Sequence, residues 1–255
     1  MFEQYKDRVA AVIMEPVIAE KPEDGYLQKV KDLTHENGSL LIFDEMISGF
    51  RFAMGGVQEY LGVTPDLATF GKGITNGMPL GVLAGKEEYM KEFDKVFLSS
   101  TYAPEALTLA ATSANIDFYK KHNVIDELWS KGEYIEDGFN SVIDKYSIRK
   151  NMSLAGYPVR LMVNSHDNNG VQDSKLATLY QQEMFKHGIL CFSGVLMLSY
   201  SHSKEDLDLL IDAFDKTCEV IQEYLASGKS IDSYLHGIPG APVFKGLRER
   251  NAVSN

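Results

Sequence analysis

Two short apolar runs, each broken by a charged residue, constrain this chain most. LLIF (40–43), followed by Asp44-Glu45, and LATF (67–70), followed by Gly-Lys-Gly, are too short for helices, and their unbroken apolar character fits strands buried on both faces. VAAVIM (9–14) is a third such run. YLQKVKDLTHE (26–36) places Leu27, Val30 and Leu33 at helical spacing, and Asn37-Gly38 stops it. Strands alternating with helices predict an α/β fold, a mainly parallel sheet with flanking helices. VLA (82–84) and VFL (96–98) read as further strands. Ligands of such sheets sit outside the carboxyl ends of the strands. Asp44 ends one run and Lys72 follows another after a single glycine, so both belong to that rim.

Beyond residue 100 the pattern changes. Residues 105–121 predict an alanine-rich helix. Residues 124–146 predict a second helix, with Gly132 and Gly138 as weak points. Strands are expected at 159–164, 189–192 and 195–200, and helices at 174–187 and 203–225. The last opens on Ser203-Lys-Glu-Asp206, a capping box. This is the pattern of a small α+β domain. The expected division is the C-terminal part of a large domain at 1–122, the small domain with its connecting helix at 123–235, and an irregular tail at 236–255.

Composition excludes several functions. A net charge of −11, spread along 255 residues, argues against binding nucleic acid or an anionic membrane. No apolar run is long enough to span a bilayer, and MFEQYKDRVAAVIMEP lacks the pattern of a signal peptide. Cys191 and Cys218 read as buried free thiols of a cytoplasmic protein, and no group has zinc-ligand spacing. The absence of a GxxxxGK[ST] loop argues against Asp44-Glu45 as a nucleotide–magnesium site.

The remaining chemistry is that of pyridoxal phosphate (PLP). A lysine amine between Gly71 and Gly73 can hold the cofactor as a Schiff base, and Asp44 can keep its pyridine nitrogen protonated. Ser99-Ser100-Thr101 before a helix start suits either a phosphate or a plain N-cap.

IMEPV (13–17), LLIFDEMISGFR (40–51), GGVQEYLGVTPDLATFGKGITNGMPLG (55–81) and LSSTYAPEALTLAA (98–111) resemble, in order, the motifs of class III PLP-dependent aminotransferases of fold type I. Within that class they are similar to glutamate-1-semialdehyde 2,1-aminomutase. The resemblance implies that Lys72 forms the Schiff base and shuttles the proton, and that Asp44 pairs with the ring nitrogen. It implies that Met46, where the family usually has Val or Ile, packs on one ring face. Thr101 would bind the phosphate of the neighbouring subunit's cofactor, which implies a homodimer, and Glu15 would support the pocket. Arg51 reads as structural, with a substrate carboxylate as the alternative. The substrate would be a small amino acid or amino-aldehyde.

The departures are TYAPEA after the threonine position and a shorter loop after EPV. The family's N-terminal part, with its phosphate cup, is also expected to be missing. That leaves open an inactive fragment, a binding or assembly module, or the C-terminal half of a split enzyme acting with a separate N-terminal chain. A lysine-dependent aldolase or decarboxylase on the same fold is a further alternative.

Overall fold

The computed structural model describes residues 2–18, 20–97, 101, 105–192 and 194–240. The chain divides into two compact units. The first runs to Gly132 and takes in Gly156–Val159; the second holds Glu133–Ala155 and everything from Arg160 onward.

The first unit is built on four strands: β1 (Ala11–Met14), β2 (Leu40–Asp44), β3 (Leu67–Phe70) and β4 (Val82–Gly85), in that spatial order. Helix α1 (Tyr26–Glu36) joins β1 to β2, and the short α2 (Val57–Tyr60) lies between β2 and β3. The first three strands are parallel, with Met14 opposite Phe43 and Asp44 opposite Thr69. β4 departs from the parallel expectation and runs antiparallel to β3. The physical reason is the link: it holds only a single 3-10 turn, Lys72–Ile74, whereas a parallel return needs a crossover of a dozen residues or more. Leu41 and Phe43 are fully buried, as the apolar run requires. Val96 and Phe97 form no strand; they follow the 3-10 turn Lys91–Lys95, and Phe97 is almost wholly exposed. Leu98 lies outside the described residues.

Two more helices follow β4, the short α3 (Glu87–Met90) and α4 (Ala106–Lys121). α5 (Val124–Lys145) begins in the first unit and ends in the second. An aromatic cluster of Phe52, Tyr60, Trp129 and Tyr157 packs the first unit. Trp129 stacks on Tyr60 at 5.1 Å and donates its indole N–H to the Phe52 carbonyl at 3.0 Å. Gly132 proves to be a point of close approach. A Cβ there would overlap the Pro158 carbonyl and lie 2.8 Å from Pro158 Cα, so only glycine fits.

The second unit contains β5 (Met152–Tyr157, whose last two residues belong to the first unit), β6 (Arg160–Ser165), α6 (Ser174–Lys186), β7 (Val195–Leu196) and α7 (Lys204–Ser227). Its sheet order is β5-β6-β7, with β7 antiparallel to β6. Phe139 of α5 stacks on Phe214 of α7 with ring centroids 3.8 Å apart, both fully buried among Met152, Leu161, Leu179 and Ile221. Ser203 and Asp206 form the expected capping box of α7. The strand expected at 189–192 is reduced to one bridge, Phe192 to Val195, because Leu190 and Phe192 face solvent. Cys218 is buried and Cys191 half-buried, both as free thiols. At the start of the tail, the His236 N–H bonds Gln182 and the Gly240 N–H bonds Thr178, both on α6. Residues 241–255 lie outside the described residues.

Candidate active site

Parallel β1, β2 and β3 end on one rim, and the chain places a polar residue at each exit. Glu15 follows β1, Asp44 closes β2, and Lys72 follows β3 after Gly71. Neighbouring strands lie about 4.8 Å apart, so the register Asp44–Thr69 sets the Asp44 and Lys72 backbones close together. Asp44 is half-buried. Its Oδ1 accepts the Met46 N–H at 3.0 Å and the Thr69 hydroxyl at 3.3 Å. Among the described residues no cation pairs with it, and Oδ2 accepts no hydrogen bond. Lys72 is exposed, and its amine likewise has no partner among the described residues.

Lys72 sits in the left-handed region at φ 46°, a conformation that costs a non-glycine residue on the order of 1 kcal/mol. Its carbonyl, accepting the Thr75 N–H at 3.2 Å and the Asn76 N–H at 3.0 Å, holds the turn. Met46 lies against the backbone just before it. A Cβ at Gly71 would fall 2.7 Å from Met46 Sδ and 3.0 Å from the Leu80 carbonyl, so glycine there admits the thioether. Asp44, Met46 and Lys72 are thus gathered on one patch of the rim. Glu15 stands half-buried at the next strand end.

The adjacent carboxylate has a different task. Glu45 is fully buried and accepts the backbone N–H groups of Val57 and Gln58, each at 2.9 Å, together with the Ser48 hydroxyl. It caps α2 and fixes the loop after β2. Arg51 donates to the Val159 carbonyl at 3.0 Å, as its structural reading expects.

Sequence reasoning missed three residues near the site. Thr69 holds Asp44; Asn115 and Tyr119 of α4 reach the loops beyond β3 and β2. A threonine in a strand and polar residues in a helix carry no distinctive signal, since only the tertiary contact marks them. Thr101 is exposed, while Ser99 and Ser100 lie outside the described residues. The N-terminus of α4 is occupied by its own cap. Glu105 accepts the Leu107 N–H at 2.9 Å and the Thr108 N–H at 2.6 Å, and the Thr108 contacts hold its carboxyl below the usual range. A carboxylate there repels a phosphate.

With Asp44 at the end of β2 and Lys72 just beyond β3, this rim belongs to an α/β scaffold with a mainly parallel sheet. Residues 1–218 match the class-III aminotransferase family model, and the chain belongs to that family. It is 33% identical over 241 residues to glutamate-1-semialdehyde 2,1-aminomutase 2 of Lachnoclostridium phytofermentans, covering 88% of this chain and 55% of the relative. It is 32% identical over 235 residues to 3-aminobutyryl-CoA aminotransferase of Cloacimonas acidaminovorans, covering 88% and 56%. Among solved structures, an omega-transaminase from Sphaerobacter thermophilus superposes with a TM-score of 0.77 at 26% identity, covering 86% of this chain and 53% of the other. The chain therefore spans about half the length of the relatives it matches. The cofactor of the family is PLP.

The residues present fit one end of that cofactor. Among the described residues, Asp44 Oδ2 accepts no hydrogen bond and the Lys72 amine has no counter-ion. For the phosphate, the α4 N-terminus is already capped by Glu105, and the Thr101 side chain is exposed.

Proposed function

We propose that this chain carries the lysine-bearing half of a PLP-dependent amino-transfer site, of the aminotransferase or glutamate-1-semialdehyde aminomutase type. The observation that carries the proposal is that, on neighbouring strand ends, Asp44 Oδ2 accepts no hydrogen bond and Lys72 Nζ has no partner among the described residues. PLP, when bound, supplies an aldehyde that condenses with amines and a ring that takes up electrons. Lys72 Nζ would hold the cofactor and would be the base that takes a proton from the carbon bearing the substrate amine and returns it. Asp44 Oδ2 would hold the ring nitrogen and keep it charged, while Thr69 and the Met46 N–H fix the carboxylate through Oδ1. The Met46 thioether would pack on the ring. Glu15 supports the polar side of the pocket. The substrate is a small amino acid or amino-aldehyde.

In this reading the enzyme acts as a homodimer, with Thr101 binding the phosphate held by the second subunit. A companion polypeptide, on a separate chain or on the same one, supplies the rest of the phosphate site. Support comes from the sheet edges: among the described residues no strand covers the outer side of β1 or of β4, and Ile13 of β1 is 64% exposed. The two free cysteines favour the cytoplasm. No helix among the described residues is long and apolar enough to cross a membrane.

The test is a half-reaction. The full chain is incubated with PLP and an amino acid or amino-aldehyde, and the recovered cofactor is weighed. Conversion to its aminated form by wild type, and not by Lys72→Ala, is expected. A cofactor unchanged in mass with every donor would sink the proposal for this chain.

A further inference from the structure

Helix α4 reaches both loops of the site from one face. Asn115 and Tyr119 are four residues apart, which sets them one above the other on the helix. Asn115 Nδ2 donates at 2.9 Å to the Gly73 carbonyl and at 2.9 Å to the Ile74 carbonyl. Both partners are acceptors, so only the NH2 end of the amide satisfies them. Tyr119 donates its hydroxyl to the Phe50 carbonyl at 2.9 Å, and its ring meets Phe50 edge-on at 5.5 Å. The two loops also touch: a Cβ at Gly73 would lie 3.4 Å from the Gly49 carbonyl and from Phe50 Cβ.

The two clamped segments contain Phe50 and Lys72, both non-glycine residues in the left-handed region. Such conformations persist only where the surroundings over-determine them. Tyr119 is half-buried; burial pushes its phenol up against the opposing effect of Arg51, so it stays a neutral donor at neutral pH.

We infer that Asn115 and Tyr119 are positioning residues for amino transfer: a two-point clamp by which α4 fixes the Lys72 loop and the loop after Asp44 against each other. The clamp rests on the functional reading of Lys72 and Asp44 given above. It acts on backbone carbonyls and touches neither of those side chains.

Two readouts on the full chain test it. The first needs no cofactor. Amide hydrogen exchange in the segment 72–78 is expected to quicken about fivefold to tenfold in Asn115→Leu, the loss of two hydrogen bonds. In Tyr119→Phe the segment 47–52 is expected to respond, and the rest of the chain to stay at the wild-type level. Asn115→Ser serves if the leucine variant fails to fold. Unchanged exchange in these segments overturns the clamp. The second readout is the rate at which PLP, fixed with borohydride, labels Lys72. It is expected to fall several-fold in the clamp variants and to hold in Asp173→Ala, a control that weakens the α6 cap elsewhere in the chain. Faster exchange with an unchanged labelling rate overturns the positioning role. If wild type takes no label at Lys72, the amino-transfer reading fails and the positioning role falls with it, while the exchange data still decide whether the clamp exists.

Discussion

Asp66 shows how a single buried charge is kept. It is fully buried just before β3, at the opposite end of that strand from Lys72. Burial pushes its carboxyl up, but Lys86 Nζ at 2.6 Å, the Leu41 N–H at 2.8 Å and His35 Nε2 at 2.8 Å together bring it down to about 2. The folded value lies below the ordinary 3.8, so between these values the unfolded chain binds more protons. Stability from this group is complete above about pH 4 and is lost as pH falls through 2. The shift corresponds to about 2 kcal/mol. Asp66→Asn is expected to lower stability by that order at pH 7 in urea titrations, with the gap to wild type closing near pH 2; a gap independent of pH would contradict it. At the site, Asp44→Asn should retain the Lys72 label and lose amino transfer by about a hundredfold or more, measured as the rate of the half-reaction. The rim position of Asp44 and Lys72 was legible in the sequence because a charge at the end of an apolar strand has few other places to go. Glu45 was not separable from Asp44 there, since only strand alternation in the folded chain turns one outward and the other into the α2 cap.

Among the elements, the long helices were legible, the short α2 and α3 were not, and the strands were less so. α1 and β3 match their expected spans, and α4 to α7 differ by a residue or two at their ends, because caps such as Ser203 and Asp173 are local signals. The direction of β4 was hidden because it depends on the short link after Lys72. β5 was missed because MSLAGY has little β-branched character and is held by its neighbour strand. The Phe139–Phe214 stack between α5 and α7 is fully buried in the core of the second unit. Phe214→Ala should cost about 3–5 kcal/mol in chemical denaturation. Gly132→Ala, which drives a methyl into the Pro158 backbone, should cost about 1–3 kcal/mol despite alanine's better helix propensity. A stabilised variant would show that the close approach relaxes without cost.

For the whole molecule, the central fact is that the chain spans about half the length of its family relatives while holding the lysine and the aspartate of the rim. Among the described residues no strand covers the outer edge of β1 or of β4, and such edges pair with other chains. Ile13→Lys on β1 is expected to reduce concentration-dependent self-association in light scattering, and unchanged scattering would show that this edge is not the contact. The most direct test of the account is the position of the cofactor. The full chain is treated with PLP, reduced with borohydride, digested and mapped by mass spectrometry. The account predicts one dominant modified residue, Lys72, with the label lost in Lys72→Ala; label scattered over the other lysines, with none at Lys72, would contradict it.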